Sequence, residues 1–577
     1  MKEANIPVDG AAPDWPLRPW IIAALLGLAG LAIHFASGGR GPDVSEGWRA
    51  ALTALLFFGP LALAFTLEPD RRAGPIAFAV LAGLIMAGLA WRAVSGGDQY
   101  ATPQYGFVAG LIATAIALPL FQAGFHRTRW DTPYPRIHGH AWSDAISAAG
   151  ALAFTGASWL LLLVLSELFH LLKIDFLRDV MDEGWFGWTW SGAAFGAALG
   201  VLRNELGIIG TLQRVVMVVL SILAVPLAAG LTLFLGAMIL SGPDVLWQAT
   251  RNATPVLLMC AAGAWVLVNA IVRDDEEAAS TNRILRVAAL VLALAVLPLT
   301  VFAAVSLGTR IAQHGLSPER LWGLVAIAVA CAYGLAWLVA VVRGSRGQVG
   351  WRERLRRANL HLAVLISGVA LFLALPILDF GAISARQQVA RLESGAVSAD
   401  KFDYSALRWD FGNAGRRALD RLAGNNDPAI ARRAGEALRQ KVRPYNVGLT
   451  ADERAYTLRV QPADPALERL VRDNIEANPY RCVNHCVALD LGTLPDGRRD
   501  VAIVSGGGYT RVTLPEAQLE GGTPPPMVTP PLPKPVGPRS KVEIRTIPRR
   551  YIVVDGVPLD APLDQASNSL EGRPPRR

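Results

Sequence analysis

Charged side chains and cysteine are both scarce in this chain. Only 18% of its 577 residues are charged, and four are cysteine. Four cysteines are too few for a disulfide-dense scaffold, which depends on several bridges to replace a hydrophobic core. The charge content is also low for a soluble protein of this length, because soluble domains usually carry about 25% charged residues. An ordinary soluble protein is therefore excluded.

Familiar catalytic motifs are also missing. No complete nucleotide, protease, glycosidase or dinucleotide signature is present, and the glycine run Gly506–Gly508 lacks the Lys and Ser or Thr of a phosphate-binding loop. We interpret that run as a turn. His138 and His140 have no partners at metal-ligand spacing, so we expect a solvated loop there. We predict neither a cofactor nor a metal site.

Long apolar runs dominate the first two thirds of the chain, where most of the 52% hydrophobic residues lie. A helix needs about 20 apolar residues to cross about 30 Å of hydrocarbon, so the runs predict about eleven transmembrane helices. The first run has no convincing cleavage site, so we expect it to stay in the protein. The predicted spans are Trp20–Ala36, Trp48–Leu67, Ala73–Trp91, Gly106–Phe125, Ala149–Leu171, Phe186–Leu202, Val215–Leu240, Pro255–Val272, Ile284–Ser306, Trp322–Val342 and Leu360–Phe380.

Basic residues between the spans predict the orientation. Sixteen Lys and Arg fall in alternate loops on one side and eight on the other. Cytoplasmic loops carry the excess of these residues, so the first set is placed inside. Segment 1–19 is then cytoplasmic, and eleven crossings put the C-terminal region outside. The net charge of +8 is explained by these arginines beside the lipid, so we expect no nucleic-acid partner.

One predicted span carries regularly spaced glycines. Gly192, Gly196 and Gly200 recur every four residues, which places them on one face of the helix. Small residues on one face let a second helix backbone approach closely in a membrane. We predict a helix-packing seam along these glycines.

The chain becomes polar after the membrane domain 20–380 and is predicted to form a soluble α+β region. Segment 381–445 has the pattern of short amphipathic helices. Segment 446–577 contains alternating runs typical of strands, interrupted by a proline-rich linker at 521–538. The predicted fold is therefore an α-helical polytopic membrane protein with a C-terminal soluble α+β region.

Three stretches resemble one bacterial family. They are "HAWSDAISAAGALAFTGASWLLLLVLSELFHLLKIDFL", "LWQATRNATPVLL" with "VLVNAIVRD", and "SARQQVARLESGAVSADKFDYSALRWDFGNAGRRALDRL". They are similar to the bacterial multi-pass membrane proteins grouped as the domain of unknown function 4153. The resemblance implies a multi-pass protein of the bacterial inner membrane, and it transfers no catalytic residue.

Polar residues within the apolar spans are candidate functional groups. Glu167 and His170 are three residues apart, so they share a helix face, and Asn269 lies near the end of another span. Ionisable groups at membrane depth usually face a cavity, a partner or a proton path. The alternative is that Glu167 and His170 are hydrated at headgroup level, and that His34 and Asn269 are interfacial or bond between helices.

The tail contains the closely spaced pair Cys482 and Cys486. Outside the cytoplasm these thiols are expected to form a disulfide, because that compartment is oxidising. Metal binding with His485 would need a fourth ligand that the local sequence does not supply. Free thiols remain a third alternative.

These features leave three functional classes open. The first is a non-enzymatic membrane component that anchors an extracytoplasmic module and contacts the bilayer and an envelope protein. The second is a transporter or channel for a small solute or ion, suggested by the many spans and the polar residues within them. An enzyme ranks third, because no convergent set of acid, base and metal ligands is visible.

Overall fold

The computed structural model divides the chain into two compact units, Met1–Arg439 and Gln440–Arg577. It describes residues 15–39, 46–242, 253–346, 349–440, 443, 456–478, 481–482, 485–494, 497–505, 508–514, 551–554 and 557–558. The predicted linker 521–538 and two of the three glycines of the predicted turn, Gly506 and Gly507, lie outside the described residues.

The first unit is built from helices. Their bounds are α1 Arg18–Ala36, α2 Gly47–Thr66, α3 Ala73–Ser95, α4 Pro103–Gln122, α5 Phe125–Thr128, α6 Tyr134–Leu171, α7 Phe176–Asp182, α8 Gly184–Asn204, α9 Leu206–Ser241, α10 Ala253–Val272, α11 Arg283–His314, α12 Pro318–Gly344, α13 Trp351–Ala374, α14 Phe380–Glu393, α15 Tyr404–Trp409, α16 Gly412–Ala423 and α17 Pro428–Arg439. Within the described residues, ten helices are long and apolar enough to cross a membrane: α1 to α4, α6 and α9 to α13. The protein is therefore a polytopic α-helical membrane protein, as the sequence predicts.

Helix α8, which corresponds to the sixth predicted span, is not among the ten because tryptophan and glycine lower its mean hydropathy. It nevertheless runs antiparallel to α1 along the full length of α1. At one end, Nη1 of Arg18 donates to the carbonyl oxygen of Arg203 at 2.7 Å. At the other end, Gly184 lies against the ring of His34. Helix α8 therefore covers the same depth as the membrane-spanning α1.

The two helices touch through their backbones. A Cβ atom at Gly192 would lie 2.2 Å from the carbonyl oxygen of Leu26, and one at Gly196 would lie 2.5 Å from that of Ile22. A Cβ atom at Gly200 would lie 2.5 Å from the Cα atom of Pro19. Only hydrogen fits at these positions, so the three predicted seam glycines face α1.

Several helices extend beyond the predicted spans. Helix α6 begins at Tyr134, 15 residues before the predicted start at Ala149. The expectation of a solvated loop at His138 and His140 is therefore wrong, because both residues lie in α6. A hydropathy pattern reports only the apolar part of a helix, and the polar turns that continue beyond the hydrocarbon escape it.

The last span is also displaced from its prediction. Helix α13 begins at Trp351 and ends at Ala374, whereas the predicted span ran from Leu360 to Phe380. Pro376 explains the earlier end, because the residue before a proline is disfavoured in helical geometry. Helix α13 begins earlier than predicted for the same reason as α6. Its first turns are rich in arginine and therefore lie outside the apolar run that the prediction detects.

Helix ends define two opposite faces of the bundle. The face that holds the starts of α1, α6 and α13 and the ends of α2, α8 and α10 is called the basic face here. Its ends are joined by hydrogen bonds, such as those from Nη1 of Arg203 to the carbonyl oxygen of Ala64 at 2.5 Å and from Nε2 of Gln122 to that of Phe65 at 2.8 Å. At the opposite face, Nη1 of Arg92 donates to the carbonyl oxygen of Ala374 at 3.4 Å.

Helices α14 to α17 form a small cluster, called the cap, at the opposite face. Buried Leu407 and Leu419 lie in its core. The cap is fastened to the turn between α11 and α12, because Nε2 of Gln388 donates to the carbonyl oxygens of His314 and Leu316 at 2.8 and 2.9 Å. Gln387 accepts the amide N–H of Leu316 at 2.9 Å. The post-membrane helices thus belong to the same unit as the bundle.

The second unit contains a four-stranded sheet in the order β1-β2-β3-β4. The described elements are β1 Thr457–Gln461, α18 Pro465–Ala477, β2 His485–Thr493, β3 Arg499–Ser505, β4 Gly508–Leu514, β5 Val553–Val554 and β6 Val557–Pro558. Strands β1 and β2 are parallel and joined through α18, whereas β2, β3 and β4 pair antiparallel. This α+β arrangement agrees with the predicted fold class.

Helix α18 was missed by the sequence analysis, although its start carries a clear signal. The Asp464 side chain accepts the amide N–H groups of Ala466 and Leu467, and Pro465 occupies the first turn. These two backbone hydrogen bonds, together with Arg499, hold the pKa of Asp464 below its usual value. The alternating strands on either side concealed this helix-start pattern.

The packing seam leads to the first prediction. Gly196→Ala should lower the free energy of unfolding by about 1–3 kcal/mol, because its methyl group meets the α1 backbone, which cannot move aside as a side chain can. The matched control is Gly156→Ala in α6, where a Cβ atom meets nothing within 4 Å. Thermal unfolding in detergent measures both, and equal midpoints for the two variants would contradict the seam.

Candidate functional site

A cluster of four polar side chains, three of them buried, joins four helices near the basic face. It consists of Tyr134 in α6, Asn269 in α10, Trp337 in α12 and Asn359 in α13. Nε1 of Trp337 donates to Oδ1 of Asn359 at 2.9 Å, and Nδ2 of Asn359 donates to Oδ1 of Asn269 at 2.8 Å. The Tyr134 hydroxyl contacts both amides, at 3.3 Å from Asn359 and 3.4 Å from Asn269. Polar groups in a lipid-embedded bundle need such partners, so this cluster fixes the helices relative to one another.

Arg356 closes the end of α10 beside this cluster. Only 2% of its surface is exposed. Its Nη2 donates to the carbonyl oxygens of Val272 and Asp275 at 2.7 and 2.5 Å, and its Nε donates to that of Arg273 at 3.2 Å. A helix leaves its last carbonyl groups without partners within the helix, and a cation there is favoured by the helix dipole. Arg356 satisfies this requirement from the neighbouring helix.

The Arg356 charge is balanced by carboxylates. Glu276 lies 3.4 Å from Arg356 and 2.7 Å from Arg352, and Glu353 lies 3.6 Å from Arg356. A buried guanidinium needs both hydrogen bonds and counter-charge to offset its desolvation. This arginine therefore has a structural role, with its donors directed at the protein.

His138 lies one helical turn beyond Tyr134 and is 5% exposed. Its ring is 5.7 Å from that of Tyr134 and 6.2 Å from that of Trp142. Neither ring nitrogen makes a hydrogen bond of ordinary geometry with the described residues, although the backbone of Asn269 lies close to the ring. An imidazole in this position extends the polar cluster into the bundle.

A cavity of about 890 Å³ opens beside Arg356 at the basic face. Its walls come from the segment before α6, the turn after α10 and the start of α13. The lining side chains include two aromatic residues, five carboxylates and two arginines: Trp130, Tyr134, Asp131, Asp274, Asp275, Glu276, Glu353, Arg356 and Arg357. The volume lies in the range of small-molecule sites. Tyr134 belongs both to the cavity wall and to the polar cluster, so the two features form one site.

The structure separates the residues that the sequence suggested for an intramembrane polar site. Asn269 contacts Tyr134 at the start of α6, whereas Glu167 and His170 lie at its far end. His170 follows Tyr134 by 36 positions, which corresponds to about 54 Å along a helix. Glu167 and His170 are exposed, and Nδ1 of His170 lies 2.5 Å from a carboxylate oxygen of Asp175. These residues do not share a cavity with Asn269.

The cysteine pair lies in the second unit. Cys482 and Cys486 are joined by a disulfide with their Cα atoms 5.6 Å apart, and both are buried. The ring of His485 is turned to the hydroxyl of Thr457 at 2.5 Å. Among the described residues, no group of three or more His, Cys, Asp or Glu is arranged to hold a metal ion.

The sequence patterns did not predict most residues of the site, and the reasons can be identified. Asn359 directly precedes the predicted span that begins at Leu360, so the hydropathy pattern does not single it out. Arg356 was counted as one of many cytoplasmic cations. A sequence signal did exist, because Trp351, Leu355 and Asn359 repeat every four residues and place the asparagine on a helix face.

The bundle, cap and polar site define a multi-pass helical membrane protein that carries a separate α+β unit. The chain belongs to the DUF4153 family, described as a domain of unknown function, whose model matches residues 50–422. This confirms the resemblance found in the sequence. The match contains the polar cluster and the cavity but excludes the cysteine pair. Neither the curated proteins nor the solved structures contain a match to the chain.

The polar cluster leads to the second prediction. Asn359→Leu should cost about 1–3 kcal/mol, because it leaves the buried Nε1 of Trp337 without an acceptor, whereas Oδ1 of Asn269 keeps the Tyr134 hydroxyl at 3.4 Å. Trp337→Phe removes the donor itself, so the double variant should be less destabilised than the sum of the two single variants. Unfolding in detergent measures this coupling. Strict additivity would show that the hydrogen bond contributes nothing.

Proposed function

We propose that this protein is a non-enzymatic component of the bacterial inner membrane that anchors an extracytoplasmic module and presents it to an envelope protein. The observation that carries the proposal is the cap. Two glutamines and an arginine attach it to the turn after α11, where Nη2 of Arg391 donates to the carbonyl oxygen of Gln313 at 2.8 Å. The bundle therefore ends in a fixed platform, and the chain passes from it into a second compact unit.

The orientation follows from charge and helix count. The basic face carries sixteen of the twenty-four Lys and Arg that the sequence assigns to the two sides, which favours the cytoplasm for that face. The ten apolar spans together with α8 give an odd number of crossings. The cap and the second unit are then extracytoplasmic, and the oxidising compartment supports the disulfide.

A transporter or channel for a small solute or ion is the second candidate. The cavity favours it, because a concave site with a buried polar floor is the usual form of a solute site. Two contacts favour the anchor. Arg356 of α13 is hydrogen-bonded to the turn after α10, and α8 packs closely against α1. Both contacts fasten helices that an alternating transporter would have to move.

The orientation leads to the third prediction. In a variant in which the free Cys260 and Cys331 are replaced by Ala, an impermeant maleimide applied to spheroplasts should label the protein only after reduction. Two labels per chain are then expected at Cys482 and Cys486, which are disulfide-bonded in the structure. Labelling before reduction would contradict the disulfide. Labelling that requires lysis would contradict the extracytoplasmic location.

The anchor leads to the fourth prediction. A photo-crosslinking residue at the exposed Arg459 of edge strand β1 should capture one envelope protein in cells, because an exposed edge presents unpaired backbone groups. The control position is Leu152 on the outside of α6, which is 63% exposed and should give only lipid adducts. Solute flux through the reconstituted full-length protein, without a protein adduct at Arg459, would instead favour transport.

A further inference from the structure

We propose that the cavity at the basic face binds an organic amine in its cationic form, such as a polyamine. The feature that carries the inference is the open cavity of about 890 Å³, whose wall combines uncommitted carboxylates with the aromatic residues Trp130 and Tyr134. Nothing in the anchoring role requires such a volume. The inference therefore goes beyond the proposed function and does not depend on it.

The carboxylates of the cavity fall into two groups. Glu276 and Glu353 are paired with arginines, and the Oδ1 atom of Asp275 accepts the amide N–H of Ala278 at 2.6 Å. Asp131 and Asp274, in contrast, make neither a hydrogen bond nor an ion pair with any residue that the structure describes. Two negative charges are thus left to attract a solute of opposite sign.

The arginines of the cavity are already paired with acceptors of the protein. The Arg356 guanidinium directs Nε and Nη2 at backbone carbonyls and Nη1 at Glu276. Arg357 is paired with Glu353 at 3.0 Å. Since every Arg356 nitrogen already has an acceptor, an incoming phosphate or carboxylate would have to displace structural hydrogen bonds that close α10. The uncommitted charge of the cavity is negative.

Aromatic rings provide the second recognition element. The Trp130 ring stacks on the His361 ring with centroids 5.1 Å apart and planes 11° apart, and Phe125 meets Trp130 edge-on at 5.5 Å. Tyr134 lines the same cavity. Tryptophan faces attract ammonium groups, and alkyl chains pack well on such rings. A flexible amine satisfies both elements, because its charged ends reach the carboxylates while its methylene groups cover the rings.

Binding of spermidine to the purified full-length protein in neutral detergent tests the inference. Isothermal titration calorimetry should detect saturable binding by the wild type and about a tenfold weaker affinity in Asp274→Asn and in Asp131→Asn, since each variant removes one charged hydrogen-bond partner. The matched control is Asp70→Asn, an exposed carboxylate in another loop of the same face. It should bind like the wild type.

Three outcomes would overturn the inference. They are wild-type affinity in both cavity variants, equal weakening in the Asp70 control, and binding of inorganic phosphate that competes with spermidine. The Asp131 side chain is exposed and makes no hydrogen bond or ion pair with the described residues, so Asp131→Asn should keep the wild-type unfolding midpoint. None of these results depends on the location of the second unit or on crosslinking from Arg459. Failure of this inference is therefore distinguishable from failure of the anchor.

Discussion

The closure of α10 by Arg356 is the interaction on which the basic face depends. A helix that ends inside a bundle leaves carbonyl groups without water, and each such group is costly unless a donor reaches it. Arg356 reaches three carbonyls from α13 and thereby fixes the turn at Arg273–Glu276. This turn forms one wall of the cavity. It also fixes the end of α10, where Asn269 lies within hydrogen-bonding distance of Asn359. The cavity and the polar cluster are both consequences of one buried cation.

The α1–α8 seam has an equally wide influence on topology. Backbone contact at Gly192, Gly196 and Gly200 keeps a helix of modest hydropathy at the depth of α1. Packing thus supplies what apolar content alone does not, because close helix approach gains dispersion energy that lipid cannot replace at that surface. The proposed odd number of crossings, and with it the proposed side of the cap and of Cys482, depends on the close backbone contact at these three glycines.

The fold class was predictable because lipid imposes a simple rule on sequence. Every run of about 20 apolar residues became a helix, and the alternating runs of the tail became β1 to β4. The site was not predictable, since Tyr134, Asn269 and Asn359 are distant in sequence and meet only through packing. His138 shows the limit most clearly. A polar stretch such as "RIHGHAW" has the composition of a loop, yet α6 continues through it, and the His138 ring is buried beside the rings of Tyr134 and Trp142.

The family match covers some features of the structure and leaves others out. Residues 50–422 include the cavity, the polar cluster and most of the cap, whereas the second unit lies outside them. A property shared by the family must therefore reside in the bundle and the cap. The two proposals are independent, because one concerns a ligand at the basic face and the other a partner of the second unit. Any coupling between them would need two arrangements of helices α6, α10 and α13 with different ligand affinities. The hydrogen bonds of Arg356 and Asn359 join these same three helices, so they are the contacts that such a change would have to break.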